Sequence, residues 1–203
     1  MNYSLINETE AWVENYMKSY DSSHNFKHVL RVKKIAIEIA ESQNLNDNDI
    51  FEVILAALTH DIEDHKYNNT CCENIQENVL NNFFKYKLDN NIIKNIVFIA
   101  CNTSLSKEVA LLDKLKDIDP KLNIKLNCVQ DADRLDSLGS IGISRYFIYG
   151  VVKNKSDMEE IIDNLEHRTN ILIEYIKTDH GKKKSQEKYN IVKMFIDNFR
   201  NSI

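Results

Sequence analysis

The chain has 203 residues and a formal net charge of −5, with 43% hydrophobic and 28% charged residues. This length suits one domain, and this balance is typical of a globular protein and excludes a disordered one. The negative charge, with no basic stripe interleaved with aromatic residues, argues against binding along a nucleic-acid backbone.

The elements predicted along the chain are helices. Only four glycines and one proline interrupt a pattern in which apolar residues recur at helical spacing. The spacing predicts helices over residues 28–40, 46–62, 75–83 and 92–100. The second of these is apolar nearly all round, with Asn46 or Asp47 as its cap, and we expect it at the centre of the core.

The second half of the chain is also predicted to be helical. Residues 102–119 are more polar, and we interpret them as a loop, with or without a short helix over 109–115. Pro120 opens a helix that Gly139 is expected to end. Two more helices are predicted at 161–176 and 189–199, with a polar connector at 180–188.

The sequence contains no convincing alternating pattern of a β-strand and no internal repeat. The predicted fold class is therefore all-α, a single-domain helical bundle of about seven to nine helices. We place its core at about residues 20–150 and additional C-terminal helices at about 157–203.

His60 and Asp61 stand together at the end of the central helix. A charged aspartate is almost never fully buried unless it is paired or bound to a metal, so a bound cation would explain this pair. His28 precedes three apolar residues by four, eight and eleven positions, which places it on the inward face of its own helix. These residues are Val32, Ala36 and Ile39.

A downstream aspartate is the fourth candidate ligand. Asp133 follows the apolar stripe of the helix that Pro120 opens, but Asp131 follows another apolar face of the same helix. Periodicity therefore leaves the choice between the two open. Two imidazoles and two carboxylates suit one divalent ion, with Mn²⁺ favoured, and Mg²⁺, Fe²⁺, Co²⁺ or Ni²⁺ as alternatives, over Zn²⁺. Such a site predicts hydrolysis.

Three ordered motifs then indicate a family. They are SHNFKHVLRV at 23–32, LAALTHDIEDHKY at 55–67 and VQDADRLDSLGSIGISRYFIYG at 129–150. Together with TDHG at 178–181, they resemble the bacterial nucleotide-hydrolysing subgroup of the HD-domain phosphohydrolase superfamily, over most of residues 20–200. The resemblance implies that His28, His60, Asp61 and Asp133 bind the metal, and it favours Asp133 over Asp131.

The resemblance also implies the chemistry. Related enzymes hydrolyse deoxynucleoside triphosphates to monophosphate and pyrophosphate, and the residue four after the motif histidine, here Asp64, acts on the attacking water as acid or base. Helical spacing independently puts Asp64 on the face of His60 and Asp61. His24, Lys66 and Arg145 are candidates to bind the substrate.

Two features depart from the subgroup, and rival functions remain. Glu63 stands where a small residue is common, and the stretch 102–119 differs from its flanks, so substrate choice is predicted to lie there if it is a lid. The alternatives are hydrolysis of a nucleoside monophosphate, a cyclic nucleotide or a guanosine polyphosphate, or a metal-binding sensor without turnover.

The remaining expectations concern location and partners. Cys71, Cys72, Cys101 and Cys128 have no zinc-site spacing, and we interpret them as reduced thiols. The first residues lack the pattern of a signal peptide, and no apolar run approaches the length of a membrane span. We expect a cytoplasmic protein whose partner is a small phosphate compound, with neither nucleic acid nor membrane; whether it forms a homo-oligomer is left open.

Overall fold

The structure, a computed structural model, describes residues 1–19, 25–62, 75–111, 118–151 and 157–203. Ten α-helices lie in these ranges: α1 (Tyr3–Tyr16), α2 (Phe26–Ser42), α3 (Asp47–Thr59), α4 (Ile75–Phe84), α5 (Asn90–Cys101), α6 (Leu105–Leu111), α7 (Pro120–Asp136), α8 (Gly139–Tyr149), α9 (Met158–Glu174) and α10 (Asp179–Arg200). A short 3₁₀ helix, Met17–Ser19, follows α1. None of these residues lies in a β-strand, which confirms the all-α fold class.

The chain divides into two compact units, Met1–Gln130 and Asp131–Ile203, and the division falls within α7. The first unit contains α1 to α6 and the beginning of α7. The second contains the end of α7 and the three helices that follow. That the whole chain is a single domain stays a prediction. No helix within the described ranges is long and apolar enough to cross a membrane.

The core of the first unit is built around α3. Every residue of this helix from Asp49 to Thr59 is buried, as predicted for the central helix. Helices α1, α2 and α5 pack against α3, and α4 packs against α5. Asn46 begins α3, because its Oδ1 accepts hydrogen bonds from the backbone N–H groups of Asn48 and Asp49 at 3.0 and 3.1 Å. The first of the two expected caps is therefore confirmed.

The second unit has a smaller core, in which α8, α9 and α10 pack against one another. Its centre consists of four buried aliphatic residues, Ile162, Leu165, Val192 and Ile196. Phe147 of α8 packs on this cluster and meets Phe195 of α10 edge-on, with ring centroids 5.9 Å apart.

Helices α1 and α8 were not predicted. Gly139 does follow the end of α7, as expected, but the same residue also begins α8. Its φ of +70° lies in the left-handed region that glycine adopts at little cost, so the chain changes direction there and starts a new helix. In α1, the apolar stripe is short and lies within an otherwise polar sequence. Its buried members are Leu5, Ile6, Thr9 and Val13.

The predicted connector at 180–188 is wrong, because these residues form the first half of α10. Lysine, glutamine and glutamate are good helix formers, so a polar composition alone does not indicate a loop. Gly181, Ser185, Val192 and Ile196 are buried at spacings of four and seven, which marks one inward face. Lys182 and Lys183 lie on the exposed face.

Candidate metal centre

His60 and Asp61 follow the last turn of α3. His60 has backbone angles of φ −64° and ψ −29°, so it continues the helical path beyond Thr59. Gln76 of α4 binds this backbone, since its side-chain amide donates a hydrogen bond to the carbonyl of His60 at 2.8 Å. The His60 side chain is 2% exposed and that of Asp61 is 14% exposed. The apolar central helix thus ends by carrying an imidazole and a carboxylate into the interior.

His28 lies in the first turn of α2. Asn25 caps this helix, and its Oδ1 accepts hydrogen bonds from the backbone N–H groups of Lys27 and His28 at 3.1 and 3.4 Å. His28 is 1% exposed, and the neighbouring Val29 and Val32 are fully buried. Because α2 packs against α3, the start of α2 brings this imidazole to the end of α3.

The structure brings His28, His60 and Asp61 together. Nε2 of His28 lies 3.3 Å from one carboxylate oxygen of Asp61, and Nε2 of His60 lies 3.4 Å from the other. The two imidazole rings meet edge-on, with centroids 5.3 Å apart. One carboxylate therefore faces two imidazoles that come from different helices.

The hydrogen bond of His60 indicates which ring nitrogen faces the site. Nδ1 of His60 lies 2.7 Å from the carbonyl oxygen of Ala57, one turn earlier on α3. A carbonyl oxygen only accepts, so Nδ1 carries the proton and donates it. Nε2 then has the lone pair, which is the form of histidine that binds metal ions, with the other nitrogen held by a backbone carbonyl.

These three side chains fit a divalent cation. The ligand nitrogens of His28 and His60 lie within 4.8 Å of each other, close to the span of about 4 Å that two metal–nitrogen bonds of about 2.1 Å cover. Two imidazole nitrogens and a carboxylate are a mixed donor set suited to a divalent transition metal. A cation between them would also compensate the carboxylate of Asp61, which lies largely away from solvent.

Asp131 is one of the two carboxylates between which periodicity left the choice of metal ligand open. In the structure, its oxygens accept hydrogen bonds from residues of the second unit. It is fully buried and accepts hydrogen bonds from the hydroxyl of Thr178 at 2.7 Å, from the Thr178 N–H at 2.8 Å and from the Lys177 N–H at 3.0 Å. Burial raises the pKa of Asp131, and these donors, with the charge of Arg134, oppose that rise. Asp131 thereby holds the residues that begin α10.

Arg134 supports the same segment. Its guanidinium lies 3.8 Å from Asp131 and donates a hydrogen bond to the carbonyl oxygen of Tyr175 at 2.8 Å. The side chain is 1% exposed. Asp133, one position before it on α7, is half-buried.

Comparison with known proteins identifies relatives and solved structures that are similar to this chain. No family model matches the chain. The uncharacterized protein YpgQ of Bacillus subtilis is 27% identical over 192 residues, which cover 93% of this chain and 89% of YpgQ. The crystal structure of YpgQ in complex with ADP superposes with a TM-score of 0.75 at 26% identity, over 98% of this chain and 97% of that one. An HD-superfamily hydrolase from Bacillus thuringiensis superposes with a TM-score of 0.72 at 24% identity, over 100% and 98% of the two chains.

The chain shares the fold of this HD-superfamily hydrolase. The family resemblance inferred from the ordered motifs is therefore confirmed for the fold. Within this HD fold, the histidine of the first motif and the His-Asp pair of the second lie in contact, as the distances of His28 and His60 from Asp61 show.

Arg145, a predicted substrate-binding residue, is held by an aspartate in the second unit of the HD fold. Its Nη1 donates a hydrogen bond to Asp136 at 3.0 Å, and its side chain is 12% exposed. A guanidinium has five N–H donors, so this bond is compatible with a further contact to a phosphate. The next residue on α8, Tyr146, and Tyr149 one turn further line a cleft of about 290 Å³ together with Arg168 of α9.

Three of the predicted site residues lie outside the described residues. They are His24, Asp64 and Lys66, and Glu63 and the adjacent cysteines, Cys71 and Cys72, do so as well. Their roles stay predictions. In the stretch 102–119, a short helix is described over Leu105–Leu111, earlier than the predicted 109–115.

Sequence reasoning missed Gln76 and Lys107, whose hydrogen bonds hold the end of α3. Gln76 is 8% exposed, and its Oε1 accepts a hydrogen bond from the ammonium of Lys107 on α6 at 2.9 Å, while its amide donates to the His60 carbonyl. The only signal in the sequence was an amide in the first turn of a helix next to the second motif. A glutamine there is ordinary on a solvent-exposed surface, so the pattern gave no reason to single it out.

Proposed function

We propose that this protein is a metal-dependent phosphohydrolase that acts on nucleotides. The observation that carries the proposal is the contact of His28 and His60 with the two oxygens of Asp61, at 3.3 and 3.4 Å, in an HD-superfamily hydrolase fold. The ligands would be these three side chains and Asp133. Mn²⁺ is the favoured ion, because the donor set mixes imidazole nitrogen with carboxylate oxygen.

The choice of Asp133 as the fourth ligand rests on Asp131. Asp131 already accepts hydrogen bonds from Lys177 and Thr178 and faces Arg134, so its oxygens serve the second unit. Asp136, the third acidic residue of this motif on α7, pairs with Arg145 at 3.0 Å, and Asp133 lies where the family resemblance predicts the ligand.

When bound, a divalent cation polarises a phosphoryl oxygen and makes water acidic enough to react near neutral pH. The chain would supply the remaining roles. Asp64 would take the proton of the attacking water, since it follows His60 by one helical turn in the sequence. His24, Lys66 and Arg145 would hold phosphate oxygens, with the arginine able to form two parallel hydrogen bonds.

A nucleotide is the proposed substrate. The support is the ADP in the crystal structure of YpgQ, which shares this fold over 98% of the present chain. Within the nucleotides, the motif resemblance favours deoxynucleoside triphosphates. The bond between the α- and β-phosphates would break with uptake of one water, releasing a monophosphate and pyrophosphate.

A substrate panel with defined metal content tests this function. The protein would be stripped with chelator, reloaded with Mn²⁺, Mg²⁺, Fe²⁺, Co²⁺ or Ni²⁺, and assayed for phosphate and pyrophosphate separately. Pyrophosphate from deoxynucleoside triphosphates is the expected result. Phosphate from monophosphates or turnover of cyclic nucleotides or guanosine polyphosphates would assign one of the alternative substrates.

Asp64→Asn separates an enzyme from a sensor. The variant is expected to keep metal binding and to lose hydrolysis, because the amide cannot accept a proton from water. A metal-loaded wild-type protein without turnover of any member of the panel would contradict the enzymatic proposal and favour a metal-binding sensor.

A further inference from the structure

The cleft between α8 and α9 in the second unit has no part in the proposed function. Its volume is about 290 Å³, and residues of both helices line it. Sites for small molecules typically enclose about 300–1,000 Å³, so a ligand of this cleft would be small. The lining residues are Tyr146, Tyr149, Gly150, Ile161, Asn164, His167 and Arg168.

Helical spacing explains why the α9 residues share the cleft. Asn164 and Arg168 follow Ile161 by three and seven residues, which places the three on one face of the helix. Ile161 is buried, and a Cβ added at Gly150 would lie 2.6 Å from its Cγ1. The backbone at the end of α8 thus approaches α9 closely, and the cleft has an apolar base.

Arg168 gives the cleft a cation without an acidic partner. The second unit contains four arginines, and Arg134, Arg145 and Arg200 each pair with an aspartate. Arg168 is half-buried and forms no ion pair with any acidic side chain in the described ranges. A charge that is partly removed from water needs a counter-charge, so this position favours an anionic ligand.

The phenol of Tyr146 does not supply that counter-charge. Burial raises the pKa of Tyr146, while the charges of Arg168 and Arg145 and a hydrogen bond from Arg168 oppose this rise. The phenol therefore stays neutral at neutral pH. A neutral hydroxyl satisfies part of the guanidinium and leaves its other N–H groups for an anion.

The other side chains of the cleft suit a planar ring. Tyr149 is 36% exposed and, with Tyr146, offers aromatic surface on which a base can stack. Asn164 has an amide with one donor group and one acceptor, the combination that the edge of adenine requires. His167 is exposed at the same cleft and adds a donor for a phosphate when it is protonated.

We propose that this cleft binds a purine nucleotide, with the base against the tyrosine rings and Asn164 and the phosphate on Arg168 and His167. Such binding needs neither a metal ion nor hydrolysis. The inference therefore goes beyond the proposed function and does not depend on it.

Photolabelling of the full chain in chelator locates this site directly. The protein is irradiated with 8-azidoadenosine monophosphate, and peptide mass spectrometry identifies the labelled residues. Label is expected on residues 146–150 or 161–168. AMP should protect these residues at a concentration about tenfold lower than adenosine or inorganic phosphate, because only AMP carries both recognised groups.

Variants of the cleft test each half of the ligand, with the affinity for AMP measured as protection of the same peptides. Arg168→Met is expected to weaken protection about tenfold, and Arg168→Lys to recover part of it, since lysine keeps the charge without the two-pronged geometry. Tyr149→Ala should weaken protection about tenfold, whereas Tyr149→Phe keeps the ring and should stay within about twofold.

Arg200→Met is the matched control. This arginine of the second unit pairs with Asp163 and Glu166 on the exposed surface and does not line the cleft. Its loss is expected to leave protection within about twofold. If Arg168→Met does not fold, the exposed Tyr149 decides the proposal through its alanine and phenylalanine variants.

Three results would overturn the proposal: no label in the cleft, equal protection by AMP and by adenosine or phosphate, or unchanged protection in a folded Arg168→Met variant. Every step is carried out in chelator. A protein without metal-dependent hydrolysis would therefore contradict the proposed function alone, while the labelling would still decide the nucleotide site.

Discussion

The carboxylate of Asp131 accepts a hydrogen bond from the hydroxyl of Thr178 at 2.7 Å, across 47 positions of sequence. The same carboxylate accepts hydrogen bonds from the backbone N–H groups of Lys177 and Thr178. Thr178 in turn caps α10, because its hydroxyl oxygen accepts the N–H of Gly181 at 3.0 Å. Asp131, two positions before the proposed metal ligand Asp133, thus holds the start of α10.

This division of labour predicts opposite effects for two neighbouring variants. Asp131→Asn is expected to lower the free energy of unfolding by about 1–3 kcal/mol, because one side of the amide can no longer accept from these donors. Asp133→Asn is expected to lower it by less than Asp131→Asn does in chelator, because Asp131 is fully buried and Asp133 is half-buried, yet to weaken Mn²⁺ binding at least tenfold. Urea denaturation and equilibrium dialysis measure the two quantities. The reverse pattern would make Asp131 the ligand.

Gly181 is expected to tolerate no side chain. A Cβ at this position would lie 2.6 Å from Oδ2 of Asp131 and 2.8 Å from Oγ1 of Thr178, and no real carbon approaches so closely. Gly181→Ala should therefore lower the free energy of unfolding by about 1–3 kcal/mol. Lys183→Ala, on the exposed face of the same helix, is the control and should change it by less than about 0.5 kcal/mol. Equal stability of Gly181→Ala and the wild type would refute the crowded packing.

Gln76 is predicted to support the metal centre through the backbone of His60. Gln76→Ala removes the donor to the His60 carbonyl and the acceptor for Lys107, so we expect the free energy of unfolding to fall by about 1–2 kcal/mol and Mn²⁺ binding to weaken several-fold. Gln186→Ala is the matched control, since this exposed glutamine bonds only to Asn190 among the contacts described for it. A Gln76→Ala variant with unchanged metal affinity would limit this residue to a structural role.

Cys101 is predicted to react slowly in the folded protein. Burial raises the pKa of its thiol to about 11; the charge of Lys107 opposes this rise, and Glu77 adds to it. At pH 8 the reactive thiolate is then roughly a hundredfold rarer than for a thiol with a pKa near 9. Alkylation by iodoacetamide, followed by mass spectrometry of the Cys101 peptide, should be at least tenfold slower in the native protein than in guanidinium. Similar rates in both would contradict a half-buried thiol that its surroundings keep protonated.

The sequence was sufficient for the helical fold and for the contact of His28 and His60 with Asp61. His28 and the His60-Asp61 pair each lie on the inward face of an apolar helix, and inward faces must meet in a core. The same reasoning failed at 180–188, where solvent-facing lysines hid a helix whose buried residues are small or widely spaced. It also could not separate Asp131 from Asp133, because both lie on apolar stripes of α7.

The polar interactions between distant segments were beyond the reach of periodicity. Glu52 interrupts an apolar helix, and nothing local indicates that Lys125, 73 positions later, neutralises it. Gln76 likewise finds its partners, the His60 carbonyl and Lys107, only in three dimensions. Polar contacts between distant segments depend on how helices pack, whereas the apolar face of a single helix can be inferred from the spacing of its apolar residues.

The central claim is that His28, His60 and Asp61 share one divalent cation, and diffraction from crystals grown with Mn²⁺ tests it most directly. Anomalous difference maps are expected to show a peak within about 2.5 Å of Nε2 of both His28 and His60 and beside the carboxylate of Asp61. A map with Mn²⁺ bound only at other residues, or with no peak between the two imidazoles at saturating Mn²⁺, would contradict the assignment.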